Sequence, residues 1–304
     1  MKFGRLPDQL LGQADLRLPP DPEFTTGLLS RLPKREGAPG IYFGCPVWGH
    51  KPYVGTVYPP GTKQANFLRE YGKQFNTIEL NSTHYGVPPV AQIEKWADAV
   101  PDHFRFCPKW PQRISHRSRI DEYLPMIDQF LESIYAFGPK LGTSFLQLPP
   151  WFGNDGLPRL HRLLSSLPTD LDVAVEFRHE NWFADPVVTN EAFGMLETVG
   201  MGAVIVDVAG RRDVCHMGLT CPRVLVRFTG NNLHPTDFPR ATAWVERLVQ
   251  WMDAGLEQVV FLFHQPDEEH CGEISHHWLT ELNQRTGLGI KPPILYHKQQ
   301  QELF

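Results

Sequence analysis

The chain has 304 residues, of which 41% are hydrophobic and 21% charged, and its formal net charge is −5 at pH 7. This length suits one large domain, because barrels of about 250 residues routinely fold as one unit. The negative charge gives no overall attraction to nucleic acid or anionic lipid. The sequence also lacks both an apolar run of the ~18 residues needed to span a bilayer and a secretory signal. We therefore expect a cytoplasmic protein that binds no membrane, and the sequence leaves its oligomeric state open.

The sequence divides into three parts by composition. Residues 1–39 are rich in Pro, Gly and charged residues without a sustained period, and we interpret them as an N-terminal extension that is partly ordered against the domain and is not a separate fold. In residues 40–290, short apolar runs alternate with segments of helical period, which is typical of β/α units around a parallel sheet. Residues 291–304 are interpreted as a C-terminal tail.

The alternating region contains eight candidate strands. They cover residues 41–44, 76–81, 104–109, 142–148, 172–178, 203–207, 223–228 and 258–264. The predicted helices between and after them cover residues 63–73, 89–99, 122–137, 157–167, 186–199, 240–254 and 273–286. Only the connection between residues 207 and 223 has the character of a loop. This rhythm predicts a single α/β domain of the (β/α)8 TIM-barrel type, with an open doubly wound sheet as the alternative.

The polar residues of these strands fall on one face. Successive side chains of a strand point to opposite sides, and in a barrel one side meets the helices while the other faces the lumen. In the strand 172–178 the large apolar residues take the odd-numbered positions, so Glu176 and Arg178 point inward. The same reasoning assigns nine polar residues to the lumen: Glu79, Asn81, Lys109, Gln147, Glu176, Arg178, Asp207, Arg227 and His264.

Nearly all of these residues lie at the last positions of their strands, the end of a (β/α)8 barrel where catalytic groups are found. The inward set contains three carboxylates and three cations, so its charges sum to zero before His264 is counted. Because an isolated buried charge costs several kcal/mol, these groups must be paired, solvated or ligand-bound. The pattern predicts a functional pocket at the barrel mouth, and a self-satisfied ion-pair network that closes the barrel top is the alternative.

Several motifs occur along the chain in a fixed order. They are GCPVW at 44–48, VYP at 57–59, FNTIELNSTHY at 75–85, LQLPP at 146–150, VEFRH at 175–179 and VRFTG at 226–230. Together they resemble the YecE-like family, also called domain of unknown function seventy-two, over residues 41 to about 285. The resemblance implies a TIM-type barrel. It implies no reaction, because the family is named for its unknown function.

The chain departs from this family's pattern near the mouth. His84 stands where the family prefers Phe, and Thr229 stands where the family has His. Strand eight leads into His264-Gln265-Pro266-Asp267, where the family often has a pair of asparagines.

The mouth residues suggest acid–base chemistry on an anionic substrate. Glu79 and Glu176 can act as general acid and base if their environments separate their pKa values, and histidines titrate near neutral pH. The predicted catalytic residues are Glu79, Glu176, His116, His179 and Asp207. Guanidinium groups pair bidentately with carboxylate or phosphate, and aromatic rings can stack on a sugar or base. The predicted ligand-binding residues are Trp48, Asn81, Tyr85, Lys109, Gln147, Arg178, Arg227 and His264.

These residues predict a small-molecule enzyme that acts on a substrate with a carboxylate or phosphate group. We expect no organic cofactor, because the sequence has neither a dinucleotide-binding loop nor a Walker A motif. One alternative is a metal-dependent hydrolase of phosphodiesters or nucleic acid, with a divalent ion among Glu79, Glu176, Asp207 and His264. Against it, no H-E-x-x-H spacing occurs, and the neighbouring cations compete for the carboxylates. The other alternative is a protein that binds a metabolite without catalysis.

Overall fold

The structure is a computed structural model, and it describes residues 3–122 and 124–296. Residues 1–2 of the predicted extension and residues 297–304 of the predicted tail lie outside the described residues.

Eight parallel strands form the centre of the fold. They are β1 (Gly40–Cys45), β2 (Thr77–Leu80), β3 (Arg105–Pro108), β4 (Ser144–Gln147), β5 (Val173–Glu176), β6 (Gly202–Asp207), β7 (Arg223–Thr229) and β8 (Gln258–His264). The sheet order is β3-β2-β1-β8-β7-β6-β5-β4. The two edges meet through bridges from Phe106 to Leu141 and from Lys109 to Phe145. The sheet therefore closes, which confirms the predicted (β/α)8 TIM-type barrel over the open sheet.

Helices surround the strands. They are α1 (Asp8–Leu11), α2 (Glu23–Arg31), α3 (Phe67–Gln74), α4 (Ser82–Tyr85), α5 (Val90–Asp98), α6 (Gln112–Ser115), α7 (Leu124–Tyr135), α8 (Leu157–Ser165), α9 (Pro186–Thr198), α10 (Asp237–Asp253) and α11 (Cys271–Thr286). Among the described residues seven of them match the predicted helices, and the other four, two before the first strand and two short ones after the second and third strands, were not predicted. In the described part of the chain, no helix is both long and apolar enough to cross a bilayer.

The N-terminal segment supplies a helix where the outer ring has a gap. The described residues between β6 and β7 form a loop without a helix, as predicted. Helix α2 packs there, against α9 on one side and close to α10 on the other. The ring of Phe24 lies 5.0 Å from that of Phe193 on α9. Asp21, just before α2, accepts a hydrogen bond of 2.9 Å from the indole of Trp251 on α10.

A buried threonine joins α2 to the loop between β6 and β7. The hydroxyl of Thr25 donates to the carbonyl of Met217 at 2.9 Å and accepts from the N–H of Leu219 at 2.9 Å. Thr25 is fully buried. The segment before β1 is thus part of the layer that covers the barrel.

Apolar side chains fill the barrel below its mouth. Residues that alternate inward from the strands, among them Phe145, Val204, Leu225 and Leu262, form a cluster in the lumen. A much larger cluster lies between the strands and the helices. The lumen is therefore packed core, and its polar side chains gather where the strands end.

Candidate functional site

Arg227 lies at the centre of the barrel mouth, on β7. Its Nε and Nη2 donate to the two carboxylate oxygens of Glu79 on β2, at 2.9 and 2.8 Å. Its Nη1 donates to Glu176 on β5 at 2.8 Å. All three side chains are buried. One guanidinium thus holds two carboxylates that come from non-adjacent strands.

Two further side chains contact the carboxylate of Glu79. Asn81 donates its amide N–H to Glu79 Oε1 at 3.0 Å, and His264 Nε2 lies 2.8 Å from Glu79 Oε2. His264 Nδ1 in turn lies 3.5 Å from a carboxylate oxygen of Glu268. Burial disfavours the charged imidazole, but Glu79 outweighs it and raises the pKa of His264. The predicted inward positions of these strand residues are confirmed.

Glu176 is held in the same way on the other side of Arg227. Gln147 donates its amide N–H to Glu176 Oε1 at 2.9 Å, and Arg178 Nε donates to the same oxygen at 2.5 Å. The charges of these groups determine how the two carboxylates titrate. Burial by itself raises a carboxyl pKa, but the arginines outweigh it and lower the pKa of Glu176 to about 2.

The pKa of Glu79 is likewise held well below its usual range by Arg227 and His264, against the effect of burial. Both carboxylates are therefore ionised at neutral pH and are poor proton donors. A general acid needs a pKa near the working pH, so their environments do not support the acid–base role that the sequence suggests for them. They act as fixed negative charges that hold Arg227.

Asp207 lies on the opposite face of its strand from the predicted one. Its carboxylate accepts hydrogen bonds from Trp244 at 2.8 Å and from Arg240 at 2.9 Å, both on α10, and from Arg212. The side chain therefore faces the helix layer. The prediction was wrong because β6 is apolar from Ala203 to Val206, so its alternation does not distinguish its two faces.

This correction changes the charge of the mouth. Without Asp207, the cations Lys109, Arg178 and Arg227 face only the carboxylates Glu79 and Glu176. Three cations against two carboxylates leave one positive charge among the described residues of the network. The pair of His264 and Glu268 adds none when the imidazole is protonated. The mouth is thus cationic, and not balanced as the sequence predicts.

Lys109 is the mouth cation that forms no ion pair with Glu79 or Glu176 among the described residues. It is 8% exposed, and its Nζ lies 5.9 Å from the centre of the Phe145 ring. In the described part of the chain, Nζ makes neither an ion pair nor a hydrogen bond. Burial, helped by the charge of Arg227, lowers the pKa of Lys109 to about 8.

Two histidines lie beside Lys109, on the loops after β2 and β3. His84 Nδ1 donates to the carbonyl of Trp110 at 2.7 Å, so its Nε2 is left as an acceptor. Burial and the nearby Lys109 lower the pKa of His84 to about 4. The ring of His116 lies 5.3 Å from that of His84, and its pKa is lowered for the same two reasons. Both imidazoles are therefore neutral near pH 7.

His116 is oriented by its neighbour in the chain. The hydroxyl of Ser115 donates to the carbonyl of Pro111 at 3.1 Å and lies 2.8 Å from His116 Nδ1. Since the hydroxyl proton is engaged, Nδ1 donates to the hydroxyl oxygen and Nε2 is a second acceptor. His116 is among the predicted catalytic residues and His84 is not, although His84 replaces a Phe that the family prefers and could have been found by that difference.

Of the remaining predicted site residues, Trp48 and His179 lie apart from this group, whereas Tyr85 lies beside His84 with the two ring centres 5.4 Å apart. Trp48 packs edge-on against Trp96 of α5 at 5.4 Å, within the helix layer. His179 is half-buried and accepts from the N–H of Asn181 at 3.1 Å, which caps a short turn. Tyr85 lies on the rim and is 81% exposed.

The N-terminal segment also reaches the mouth, which the sequence did not indicate. The ring of Phe3 lies 4.4 Å from the guanidinium carbon of Arg178 and 5.1 Å from that of Arg211. The carbonyl of Gly4 accepts from the N–H of Gly210 at 2.7 Å, in the loop after β6. An aromatic ring from outside the strands thus packs on a mouth arginine.

The donor set of the mouth does not suit a metal ion. Among the described residues, no three His, Cys, Asp or Glu side chains are placed to hold one. Asp207 points away from the other three candidates, and the oxygens of Glu79 and Glu176 already accept hydrogen bonds from Arg227. The ligand set considered from the sequence is therefore not assembled.

Fold and site together define a (β/α)8 barrel whose mouth holds a buried ion-pair network, in which the described residues include one more cation than carboxylates. The chain belongs to the family described as "Protein of unknown function DUF72", which matches residues 42–299. It is 30% identical over 284 residues to the UPF0759 protein YecE of Escherichia coli strain K12, covering 87% of this chain and 100% of YecE. It is also 31% identical over 154 residues to the UPF0759 protein YunF of Bacillus subtilis strain 168, covering 48% of this chain and 53% of YunF. The predicted family is confirmed.

A solved structure of a DUF72 family protein from Enterococcus faecalis V583 has the same fold. Its TM-score to this chain is 0.65 at 21% sequence identity, with 84% of this chain and 98% of that chain covered. At this identity the likeness shows the fold alone.

Proposed function

We propose that this protein is a small-molecule enzyme that binds a carboxylate or phosphate group of its substrate at Lys109. The observation that carries the proposal is the largely buried Lys109 side chain, whose ammonium has no ionic partner among the described residues. A buried charge without a partner costs several kcal/mol, so a bound anion would stabilise this site as well as be held by it. Arg178, on the same side of the network, supplies further positive potential.

The histidines beside Lys109 support a catalytic role. General acid–base catalysis needs a group that can take up a proton near neutral pH within reach of the substrate. His84 and His116 are neutral and keep Nε2 as an acceptor, and both lie close enough to Lys109 for its charge to lower their pKa values. We assign the anion to Lys109 and the proton transfer to this pair, with His116 the more accessible of the two.

Binding of simple anions tests the first half of the proposal. Inorganic phosphate and acetate are titrated into the protein by calorimetry. We expect the Lys109→Met variant to lose the binding, and Lys95→Met, an exposed lysine on α5, to bind as the unchanged protein does. Equal phosphate affinity in Lys109→Met and the unchanged protein would refute the assignment.

Turnover tests the second half. A panel of sugar phosphates and phosphorylated carboxylic acids is incubated with the protein, and products and exchange of solvent deuterium into the substrate are measured by mass spectrometry. We expect turnover of at least one compound, and loss of it in His116→Asn at unchanged phosphate affinity. Phosphate binding without turnover of any compound would favour the non-catalytic metabolite-binding alternative.

A further inference from the structure

A cavity of about 670 Å³ opens beside the mouth. It lies among the loops that follow β2, β3 and β4, and its lining includes Tyr85, Arg113, His116 and Trp151. The loops after barrel strands are where (β/α)8 enzymes build their substrate sites. A volume in this range suits a ligand of drug-like size, larger than a bare phosphate or a short carboxylic acid.

Two exposed aromatic side chains belong to this cavity. Tyr85 is 81% exposed and Trp151 is 54% exposed. In the described ranges one further Phe, Tyr or Trp side chain is exposed, Tyr135, and it lies on α7 outside the lining of this cavity. Exposing two large rings in one concavity costs hydrophobic free energy, which a ring stacked on them would recover.

Two histidines of the cavity lining lie close to the proposed anion site, because His84 Nδ1 donates to the carbonyl of Trp110, the residue that follows Lys109, at 2.7 Å. The ring of His84 lies 5.4 Å from that of Tyr85 and 5.3 Å from that of His116. Both histidines line the cavity, and the charge of Lys109 helps to lower the pKa of each. Arg113, exposed on the rim, adds a second cation. The cavity lining thus combines aromatic faces with positive charge.

We propose that the substrate is a mononucleotide, with its base stacked on Tyr85 and Trp151 and its phosphate at Lys109. This inference rests on the proposed function, because it places the nucleotide phosphate in the same anion site. Base–aromatic stacking tolerates any base, since every base has a π-face. The class of ligand follows from the combination of stacking surface, cations and cavity size.

The test compares adenosine monophosphate, ribose 5-phosphate and inorganic phosphate by calorimetry. The unchanged protein should bind the nucleotide more tightly than either other probe. Trp151→Ala and Tyr85→Ala should each weaken nucleotide binding by roughly five-fold to one hundred-fold, the range measured for loss of one stacked ring. Inorganic phosphate should bind these variants with unchanged affinity, because its site contains neither ring.

Conservative variants separate stacking from a structural effect. Trp151→Phe and Tyr85→Phe keep a π-face and should retain most of the nucleotide affinity. Tyr135→Ala removes an exposed ring elsewhere and serves as the matched control. Both tested rings are exposed, so the alanine variants should fold, and their melting temperatures check this.

The outcomes distinguish this inference from the proposed function. Nucleotide affinity unchanged in both alanine variants, or no tighter than that for phosphate, would overturn the inference and leave the anion site intact. Ribose 5-phosphate binding as tightly as the nucleotide would assign the cavity to a sugar. A single-stranded oligonucleotide whose affinity grows with length would assign it to nucleic acid. Failure of every probe, phosphate included, would overturn both proposals.

Discussion

Lys109 shows how one residue acquires its properties from its surroundings. A lysine at the surface stays charged far above neutral pH, whereas burial beside Arg227 brings the pKa of Lys109 down to about 8. Glu79 and Glu176 oppose this shift without cancelling it. The side chain is therefore close to its titration point in the physiological range, which sets a pH limit on any anion that it binds.

Sulfate binding should report this limit, since sulfate keeps its charge across the range. A lowered lysine pKa means that the ammonium is present below about pH 8 and is lost above it, so sulfate affinity should be constant below about 8 and fall as the pH rises through it. Calorimetric titrations at a series of pH values measure the dissociation constant. An affinity that does not change through this range, or one that changes equally in Lys109→Met, would contradict the assignment.

Five charged or titratable groups around Lys109 should not produce this inflection. Their pKa values lie well away from 8, on the acid side for the carboxylates and the two histidines and on the basic side for the buried guanidinium. These groups are Glu79, Glu176, His84, His116 and Arg227. His264, whose pKa is raised, would titrate in Lys109→Met as well, so comparison with that variant isolates the lysine.

Helix α2 completes the outer ring although it precedes the first strand. A barrel strand needs cover on its helix-facing side, and β6 is followed by a loop. Thr25 fastens α2 to that loop through two hydrogen bonds to its backbone. Helix α2 thus covers the barrel where a helix between β6 and β7 would otherwise lie, although α2 is far from these strands along the chain.

Replacing Thr25 with Val should destabilise the protein. Val has nearly the same shape but leaves the carbonyl of Met217 and the N–H of Leu219 without their partner, and each unsatisfied buried group costs about 1–3 kcal/mol. Urea unfolding measures the free energy of unfolding. Thr26→Val, one position along on the exposed side of α2, is the control and should change it by less than about 0.5 kcal/mol. Equal effects of the two variants would mean that α2 does not cover the barrel as described.

Across the whole molecule, the mouth network ties together strands that do not pair. Arg227 on β7 holds Glu79 on β2 and Glu176 on β5, across the open end of the barrel. Since sheet hydrogen bonds join only neighbouring strands, these ion pairs are what connects opposite walls at this end. Breaking a buried pair by removing one partner leaves an uncompensated charge, with a typical cost of about 3–5 kcal/mol.

The Glu176→Gln variant should therefore be less stable by several kcal/mol at neutral pH, measured by urea unfolding. The sign of the pH dependence follows from the lowered pKa of Glu176, which falls from 4.5 to about 2 on folding. Its stabilisation is present above about 4.5 and is lost as the pH drops toward 2, so the two proteins should approach each other in stability in acid.

Glu122→Gln is the control for this measurement, because Glu122 pairs with Arg119 at 3.3 Å in an exposed position. An exposed pair contributes about 0–1 kcal/mol, so this variant should differ little from the unchanged protein at any pH. A difference between Glu176→Gln and the unchanged protein that stays constant down to about pH 2 would show that the lost stability is not ionic.

The sequence by itself determined the barrel and most of its mouth. Strand and helix periods differ, so the eight strands and the seven helices that follow them could be read in order. Two-residue alternation placed residues such as Glu79 and Lys109 correctly in the lumen. Alternation failed at Asp207, because a strand that is apolar on both faces carries no sign of which face is inside.

Only the tertiary structure decided which charges meet. Pairing depends on distances between residues far apart in the chain. The hydrogen bonds of Arg227 to Glu79 and Glu176, and the lack of an ionic partner for Lys109 among the described residues, could therefore not be read from local pattern. The placement of α2 beside β6 and the joining of Tyr85 and Trp151 in one cavity were invisible for the same reason. A linear sequence records the period of each segment, whereas contacts between distant segments exist only once the barrel has closed.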